Sequence, residues 1–237
     1  MILDDYSRMI VGGKLFYQDN AANFQQLFRE AVATYGIPHK LYVDNGAPYS
    51  NEQLSFICGS VGTVLLHTPV RDGASKGKVE RNFRTLKERW LYGIDLSQIQ
   101  SLEEFNRMLA EYIRKHNTTI HSVTGQAPLE RYLSTNERIR KPRDREWLEE
   151  CFHNRIIRRV NRDATVHFGG GVYDAPMQFI GQKMEVRYLP GDIQSAYILY
   201  GGEHYPLRMT DRVANGQTRR EKPVQIDYGR EALENVH

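Results

Sequence analysis

The chain has 237 residues, 40% of them hydrophobic and 26% charged, with a formal net charge of +3. This length allows one large domain or two modest ones, and the charge permits a nucleic-acid partner without requiring one. Cys58 and Cys151 are too few for a disulfide framework, and no run of about 18 apolar residues could span a membrane. We therefore expect two domains in a soluble, cytoplasmic protein with no membrane partner.

Strands and helices alternate through the first half of the sequence. A segment broken by Gly12 and Gly13 predicts two strands, and the apolar residues of segment 23–35 recur at helical spacing. Residues 40–44 predict a short buried strand, Asn51 predicts the cap of a second helix, and residues 63–68 predict another strand. Strands that alternate with helices predict a mixed or parallel sheet.

Two more helices are predicted beyond a glycine-bearing loop at residues 70–78. The second begins at Ser101, where Glu104 completes a capping box. The first begins after the loop, and its apolar stripe consists of Val79, Phe83, Leu86 and Trp90. Both stripes predict helices that pack on the same core as the preceding strands.

The composition changes after residue 133, so residues 1–133 are expected to form the first domain. Residues 134–155 are charged and contain one proline, which predicts a linker with a short helix around Trp147. Residues 156–213 hold short β-rich runs separated by glycine-bearing turns, a pattern that predicts a small closed barrel. Residues 214–237 form a polar tail that we expect to be disordered or loosely attached.

Asp44 and Glu80 are the acids that this organisation singles out. Thirty-five residues lie between them, and one ends a predicted strand while the other opens a predicted helix. A sheet flanked by helices brings strand ends and helix starts to one rim, where the two acids could meet. Each also has a plain structural explanation, because Asp-Asn-Gly is a strong turn signal and a glutamate in a first helical turn complements the helix dipole.

Four of the cations near Glu80 in sequence are candidates for phosphate contact. On a helical wheel Glu80, Arg84 and Lys87 share one face, which a solvated row of ion pairs would also produce. The glycine-bearing loop before the helix contributes Lys76 and Lys78. Glycines let a backbone move and lysines attract phosphates, so this segment is predicted to close over a phosphate-bearing substrate.

Three other groups have competing interpretations. His116 and His121 could be metal ligands, but zinc would need two more ligands nearby, so a helix end and turn packed on the core is favoured. The glycine-rich segment 168–176 lacks the lysine and following helix of a phosphate loop, which favours a turn between strands. A basic cluster could contact the DNA backbone or form a solvated edge strand; it consists of Arg155, Arg158, Arg159 and Arg162.

Four motifs together resemble the DDE transposases and retroviral-type integrases, a family with a ribonuclease H-like core. They cover about residues 1–133 in the family's order, and the 35-residue spacing of the two acids is itself typical of the family. The β-rich part resembles the barrel of phage Mu-like transposases through "GGGVYDAP" and "GQKMEVRYLPGD". The four motifs are "DDYSR" (4–8), "VDNGAPYSN" (43–51), "GKVERNFRTLKERW" (77–90) and "HNTTIHSVTGQAPLERY" (116–132).

The resemblance implies an α/β fold, with a mixed sheet flanked by helices and a small C-terminal β-barrel. It implies metal-dependent DNA strand cleavage and strand transfer, with Asp44 and Glu80 as catalytic ligands of two Mg²⁺ or Mn²⁺ ions. Residues 45–49 would form a flexible floor of the site. The expected partners are DNA, as element ends and target, and further copies of the chain in a homo-oligomer. The DNA contacts would come from Lys76, Lys78, Arg84, Lys87, Arg158 and Arg159.

The sequence departs from the family pattern at the first aspartate. That residue belongs to the first strand, whereas "DDYSR" is expected in the second strand, so the core is predicted to be truncated at its N-terminus and the chain incomplete for catalysis. Asp4 could substitute as a ligand, although strand alternation would then turn Asp5 away. Two alternatives stay open: a non-catalytic DNA-binding or assembly remnant, and a ribonuclease H-like nuclease without strand transfer.

Overall fold

The structure, a computed structural model, describes residues 1–46, 48–49, 51–68 and 73–210, and only the backbone of residues 73–76, 78 and 79. Within this part the chain forms two compact units. Unit 1 comprises Met1–Ile156 and Arg187–Ser195. Unit 2 comprises Ile157–Val186 and the described residues from Ala196 on. The predicted polar tail lies outside the described residues.

Unit 1 begins with an antiparallel pair, β1 (Ile2–Leu3) and β2 (Ile10–Gly12). The turn between them is closed by Asp4, whose Oδ2 accepts from Ser7 N at 2.8 Å and from Ser7 Oγ at 2.6 Å. The prediction that placed "DDYSR" in a strand is therefore wrong. Short polar side chains that bond the local backbone favour turns, and here this preference outweighs the flanking apolar run.

Helix α1 (Ala21–Tyr35), strand β3 (Lys40–Val43), helix α2 (Glu52–Val61) and strand β4 (Val64–His67) follow in that order. The helices begin at asparagine caps: Asn20 accepts from Asn23 N and Asn51 accepts from Leu54 N, both at 2.9 Å. Strands β3 and β4 pair in parallel, with Lys40 beside Val64 and Val43 beside His67. The predicted order from α1 to β4 is confirmed, but the strand predicted after Gly13 is not present, because β2 ends at Gly12 and residues 13–20 are not in a strand.

Only one face of the β3–β4 pair packs against the core. Leu41 and Val43 are buried, whereas Lys40 is exposed and Tyr42 is 60% exposed. The predicted buried strand is therefore half-buried, with the period-2 alternation of a sheet covered on one side. The core cluster of unit 1 consists of Phe28, Val32, Ile37, Leu41, Val43, Leu54, Ile57, Cys58, Val61, Leu148, Cys151 and Phe152.

Helix α3 (Gly73–Arg89) begins six residues before the predicted start at Val79. A glycine inside a helix costs only about 1 kcal/mol relative to alanine, so Gly73 and Gly77 do not prevent the helix from extending through them. The predicted apolar stripe is not buried, because Phe83 is 39% exposed and Leu86 is half-buried. Among the described side chains of α3, none is buried.

Helix α4 (Leu102–Thr118) begins at the predicted cap, since Ser101 Oγ accepts from Glu104 N at 3.1 Å. Its C-terminal end holds the edge of β2. The Asn117 side chain accepts from Ile10 N at 2.9 Å and donates to Ile10 O at 3.0 Å. One amide therefore satisfies both backbone groups of a strand residue, as a neighbouring strand would.

The segment predicted to be a linker is packed within unit 1. After α5 (Pro128–Leu133), the Arg140 carbonyl accepts from Ile37 N at 2.7 Å. Helix α6 (Arg145–Cys151) confirms the short helix around Trp147, and it places Leu148 and Cys151 in the core cluster. The charged sequence favoured a linker, but its few apolar residues recur at helical spacing and are buried.

The β-rich runs of the second half all contain strands. Their sheets have the orders β10-β9-β8-β5 and β11-β7-β6. In the β6–β7 turn Gly169 and Gly170 have φ values of 56° and 78°, which explains the glycines as a hairpin turn. The strands are β5 (Asn154–Arg159), β6 (Thr165–Phe168), β7 (Gly171–Asp174), β8 (Lys183–Leu189), β9 (Asp192–Tyr200), β10 (Glu203–Pro206) and β11 (Arg208–Met209).

The predicted closed barrel is not confirmed, because the described strands from β5 to β11 form two separate sheets. Short strands with glycine turns are typical of open sheets and of closed barrels alike, since closure depends on which strands pair. Among the described helices, none has the length and apolar character needed to cross a membrane.

Asn117 provides a test of how α4 is attached. Asn117 is 5% exposed, so Asn117→Ala should leave Ile10 N–H and C=O buried without partners and cost about 1 to 3 kcal/mol of unfolding free energy. Urea denaturation measures this loss. The control is Thr118→Ala, at an exposed neighbour whose hydroxyl bonds its own helix, with an expected change within about 0.5 kcal/mol. Equal losses in the two variants would contradict this account.

Candidate active site

Asp44 lies directly after β3 and closes the turn that follows. Its Oδ1 accepts from Gly46 N at 2.8 Å, so Asp44 does form the predicted turn. This bond does not decide whether Asp44 also binds a metal. A Cβ on Gly46 would lie 2.8 Å from the same oxygen, which explains the glycine. The carboxylate is exposed, and Gly46 provides its one hydrogen bond within the described residues. The turn therefore leaves Asp44 Oδ2 available to a ligand.

The loop that carries Asp44 is fixed to the end of β4 by two hydrogen bonds. Thr68 N donates to Val43 O at 2.9 Å, and Asn45 Nδ2 donates to Thr68 O at 3.0 Å. These bonds hold the backbone on both sides of Asp44 against the neighbouring strand. Residues 45–49 were predicted to be a flexible floor, but Asn45, Gly46 and Tyr49 each make a hydrogen bond, with Tyr49 N donating to Gly46 O at 2.9 Å.

Thr68 lies next to the loop of Asp44 and was not singled out from the sequence. It is 5% exposed, and its hydroxyl has no hydrogen-bond partner among the described residues. The parallel register with Val43 beside His67 places Thr68 beside Asp44, one residue further along both strands. The only sequence signal was its position directly after a strand, at the edge where parallel sheets bind ligands.

Glu80 is the eighth residue of α3, counting from Gly73, so it does not lie in the first turn. The first turn contains no acid, which excludes the helix dipole as the explanation for Glu80. Glu80 is exposed, and no hydrogen bond or ion pair joins it to another residue whose side chain is described. Arg84 and Lys87, four and seven residues later, are exposed as well.

The segment with Lys76 and Lys78 was predicted to be a mobile loop, and the structure places both in α3. Their backbone is therefore helical rather than irregular, because the helix continues through Gly77. The side chains of both lysines lie outside the described residues, so their phosphate contacts stay a prediction.

Asp44 and Glu80 have the donor chemistry of a divalent cation site. Mg²⁺ prefers oxygen ligands and binds through one or two carboxylates with several waters, and both acids are exposed carboxylates on separate elements. Across the part of the chain that the structure describes, no group of three or more His, Cys, Asp or Glu could hold a metal. Asp4 uses one carboxylate oxygen, Oδ2, to close a turn through Ser7, and its role as a substitute ligand stays a prediction.

His116 and His121 were predicted to pack at a helix end and turn rather than to bind a metal, and their contacts agree with packing. His116 Nε2 lies 3.2 Å from Arg8 O, and the His116 and His121 ring centroids are 6.3 Å apart. His121 Nδ1 accepts from Val123 N at 3.3 Å, so this nitrogen serves the local turn. Burial, with His116 and Arg8 nearby, lowers the pKa of His121. His116 therefore attaches the end of α4 to Arg8, just before β2, whereas His121 bonds its own loop.

Arg158 and Arg159 lie on β5 and are exposed. The Nε of Arg158 donates to His167 O and the Nε of Arg159 donates to Gly181 O, each at 3.2 Å. These bonds fix the planes of the guanidinium groups within unit 2. Arg155 differs, because its Nη2 donates to Ser60 Oγ at 2.9 Å within unit 1. DNA contacts by Arg158 and Arg159 stay a prediction.

Comparison with known proteins gives two matches to family models. The TnsB C-terminal domain matches residues 26–94, a range that contains both candidate acids. The model described as Mu transposase, C-terminal, matches residues 149–205 and covers most of the β-rich part.

Two curated relatives are also transposases. The chain is 25% identical over 225 residues to the transposase for transposon Tn552 of Staphylococcus aureus, covering 86% of this chain and 46% of that protein. It is 24% identical over 151 residues to the transposase for insertion sequence IS1202 of Streptococcus pneumoniae, covering 58% of this chain and 32% of that protein. The chain thus spans less than half the length of either relative.

The catalytic core domain of BIV integrase is a solved structure similar to this chain, with a TM-score of 0.43 and 19% identity, covering 53% of this chain and 78% of that one. At this TM-score the likeness adds nothing to the sequence matches. The family models and the curated relatives are all transposases, and that is the class of protein to which the chain is similar. They confirm the resemblance to the DDE transposase and integrase family.

The exposure of both acids predicts that neither is needed for folding. Asp44→Asn keeps an oxygen that can accept from Gly46 N, and Glu80→Gln removes no described contact, so each should change the unfolding free energy by less than about 0.5 kcal/mol. Urea denaturation tests this. The comparison variant is Asp144→Ala, which removes the α6 cap to Trp147 N and should cost about 1 kcal/mol. A comparable loss in either acid variant would favour a structural role.

Proposed function

We propose that this chain serves DNA transposition or integration, as part of a protein that cuts and joins DNA strands with the help of divalent metal ions. Asp44 and Glu80 would be two of its metal ligands. The observation that supports this most strongly is that the TnsB-type match spans both acids, while the structure gives neither a packing role. A ribonuclease H-like arrangement of unit 1 and a closed barrel in the β-rich part belong to the same proposal.

Asp44 and Glu80 would contribute carboxylate oxygens from the end of β3 and from α3. Two Mg²⁺ or Mn²⁺ ions, when bound, would activate the attacking water or DNA 3′-hydroxyl and stabilise the oxygen that leaves. The turn bond from Gly46 N to Asp44 Oδ1 would hold that carboxylate in one orientation before a ligand arrives. Carboxylates that are already exposed lose little by exchanging water for a cation.

The exposed cations of the chain would bind the DNA backbone. Arg84 and Lys87 project from the helix that carries Glu80, and Arg158 and Arg159 lie on β5. Lys76 and Lys78 would add to the charge of α3. Phosphate contacts of this kind fix position without reading sequence and weaken as salt rises. Several copies of the chain would assemble on the element ends and the target.

We further propose that catalysis at the full rate requires an acid ligand besides Asp44 and Glu80. The family mechanism uses three acids, whereas Asp4 is bonded to Ser7 in a turn and the described residues contain no three-acid group. The same absence supports the alternative, a non-catalytic DNA-binding or assembly role. Nicking activity separates the two.

The test uses supercoiled plasmid and the full chain with Mn²⁺. We expect slow nicking, because two of the ligands are present, and loss of nicking in Glu80→Gln without loss of salt-sensitive DNA binding. Gel analysis of open circles and fluorescence anisotropy with duplex DNA measure the two properties.

DNA binding with no nicking by the unaltered chain would support the non-catalytic alternative. Hydrolysis of RNA in a hybrid without strand transfer would support a simple nuclease. Nicking that survives in Glu80→Gln would remove Glu80 from the site.

A further inference from the structure

The side chain of Thr68 is buried with its hydrogen-bonding capacity unused. Its backbone N–H and C=O are bonded to Val43 and Asn45, but within the described residues Oγ1 has no partner. Burying a hydroxyl without a hydrogen bond costs free energy, so such a group in a folded protein requires an explanation. A ligand that is bound during function is one such explanation.

Thr63, at the other end of β4, shows what an ordinary buried threonine does in this protein. It is 6% exposed, close to the 5% of Thr68, but its Oγ1 donates to Pro38 O at 2.8 Å. The two threonines flank the same strand and differ in whether the fold uses the hydroxyl. The unused hydroxyl is the one beside Asp44.

Thr68 and Asp44 are the first residues after β4 and β3, at the same end of the parallel pair. Val43 lies beside His67 in the parallel register, so the next residues, Asp44 and Thr68, are also neighbours. Side chains alternate along a strand, and Asp44 therefore shares the exposed face of Tyr42. A ligand bound by Asp44 at this edge would lie next to the Thr68 hydroxyl.

We propose that Thr68 is a positioning residue of the Asp44 site, whose hydroxyl donates a hydrogen bond to a water molecule of the hydrated divalent cation that Asp44 binds. This rests on the proposed function, because it takes Asp44 as a cation ligand. Water is the fitting partner, since Thr68 is too deeply buried for a DNA phosphate, whereas a single water needs little space. Mg²⁺ and Mn²⁺ sites of this type keep several waters.

Thr68→Val tests this, because valine has nearly the same shape and no hydroxyl. Without metal, the variant loses only an unpartnered polar group, so its thermal midpoint should rise by roughly 2 to 4 °C. In Mn²⁺ titrations followed by electron paramagnetic resonance of the free ion, its affinity should fall about tenfold. Thr68→Ser keeps a hydroxyl and should keep the wild-type affinity.

Thr63→Val is the matched control. It removes a hydroxyl that donates to Pro38 O, so its midpoint should fall while its Mn²⁺ affinity, measured well below that midpoint, stays at the wild-type value. A structural role for Thr68 would make the two valine variants behave alike. Only the proposed role combines a gain in stability with a loss of metal affinity.

Each other outcome overturns a definite part of the account. A lower midpoint in Thr68→Val shows that the hydroxyl supports the fold and overturns the inference. Wild-type Mn²⁺ affinity in Thr68→Val overturns the inference and leaves the proposed function standing. No Mn²⁺ binding by the unaltered chain overturns the metal site of the proposed function, and the inference with it.

Discussion

The parallel pairing of β3 with β4 is the constraint on which the candidate site depends. Its register sets Asp44 beside Thr68 where both strands end, and the bonds from Thr68 N to Val43 O and from Asn45 to Thr68 O fix the loop there. Because Leu41 and Val43 occupy the buried face, Asp44 is carried on the exposed one. The core of unit 1 thereby orients an acid that it does not itself need.

Folding and chemistry are separated in this chain. The core is built by α1, α2, α6 and one face of the β3–β4 pair, whereas α3 has no buried residue among its described side chains. The helix with Glu80, Arg84 and Lys87 therefore contributes little to the core and presents its charges to solvent. Such a division would let the acids and cations of the proposed site act on a ligand without a large cost in stability.

Local sequence signals predicted a helix start correctly where the helix has a cap residue and a regular apolar spacing. Asn51 and Ser101 predicted the starts of α2 and α4, and both are caps in the structure. The start of α3 was missed because glycines in a lysine-rich segment suggested a loop. The packing of α6 was missed because most residues of its segment are charged and only a few are buried. Closure of a barrel could not be predicted, because it depends on which strands pair and no local sequence signal shows this. For Thr68 the sequence offered only its position after a strand, and its unsatisfied hydroxyl became visible in the structure.

The central claim is that Asp44 and Glu80 bind the same divalent cation, and a double-variant cycle of Mn²⁺ affinity tests it most directly. The unaltered chain, Asp44→Asn, Glu80→Gln and the double variant would be titrated under the same conditions. The account predicts that each single substitution weakens binding and that the double variant binds no more weakly than the weaker single variant. Losses that add in full, or a single variant that binds like the unaltered chain, would contradict a shared site.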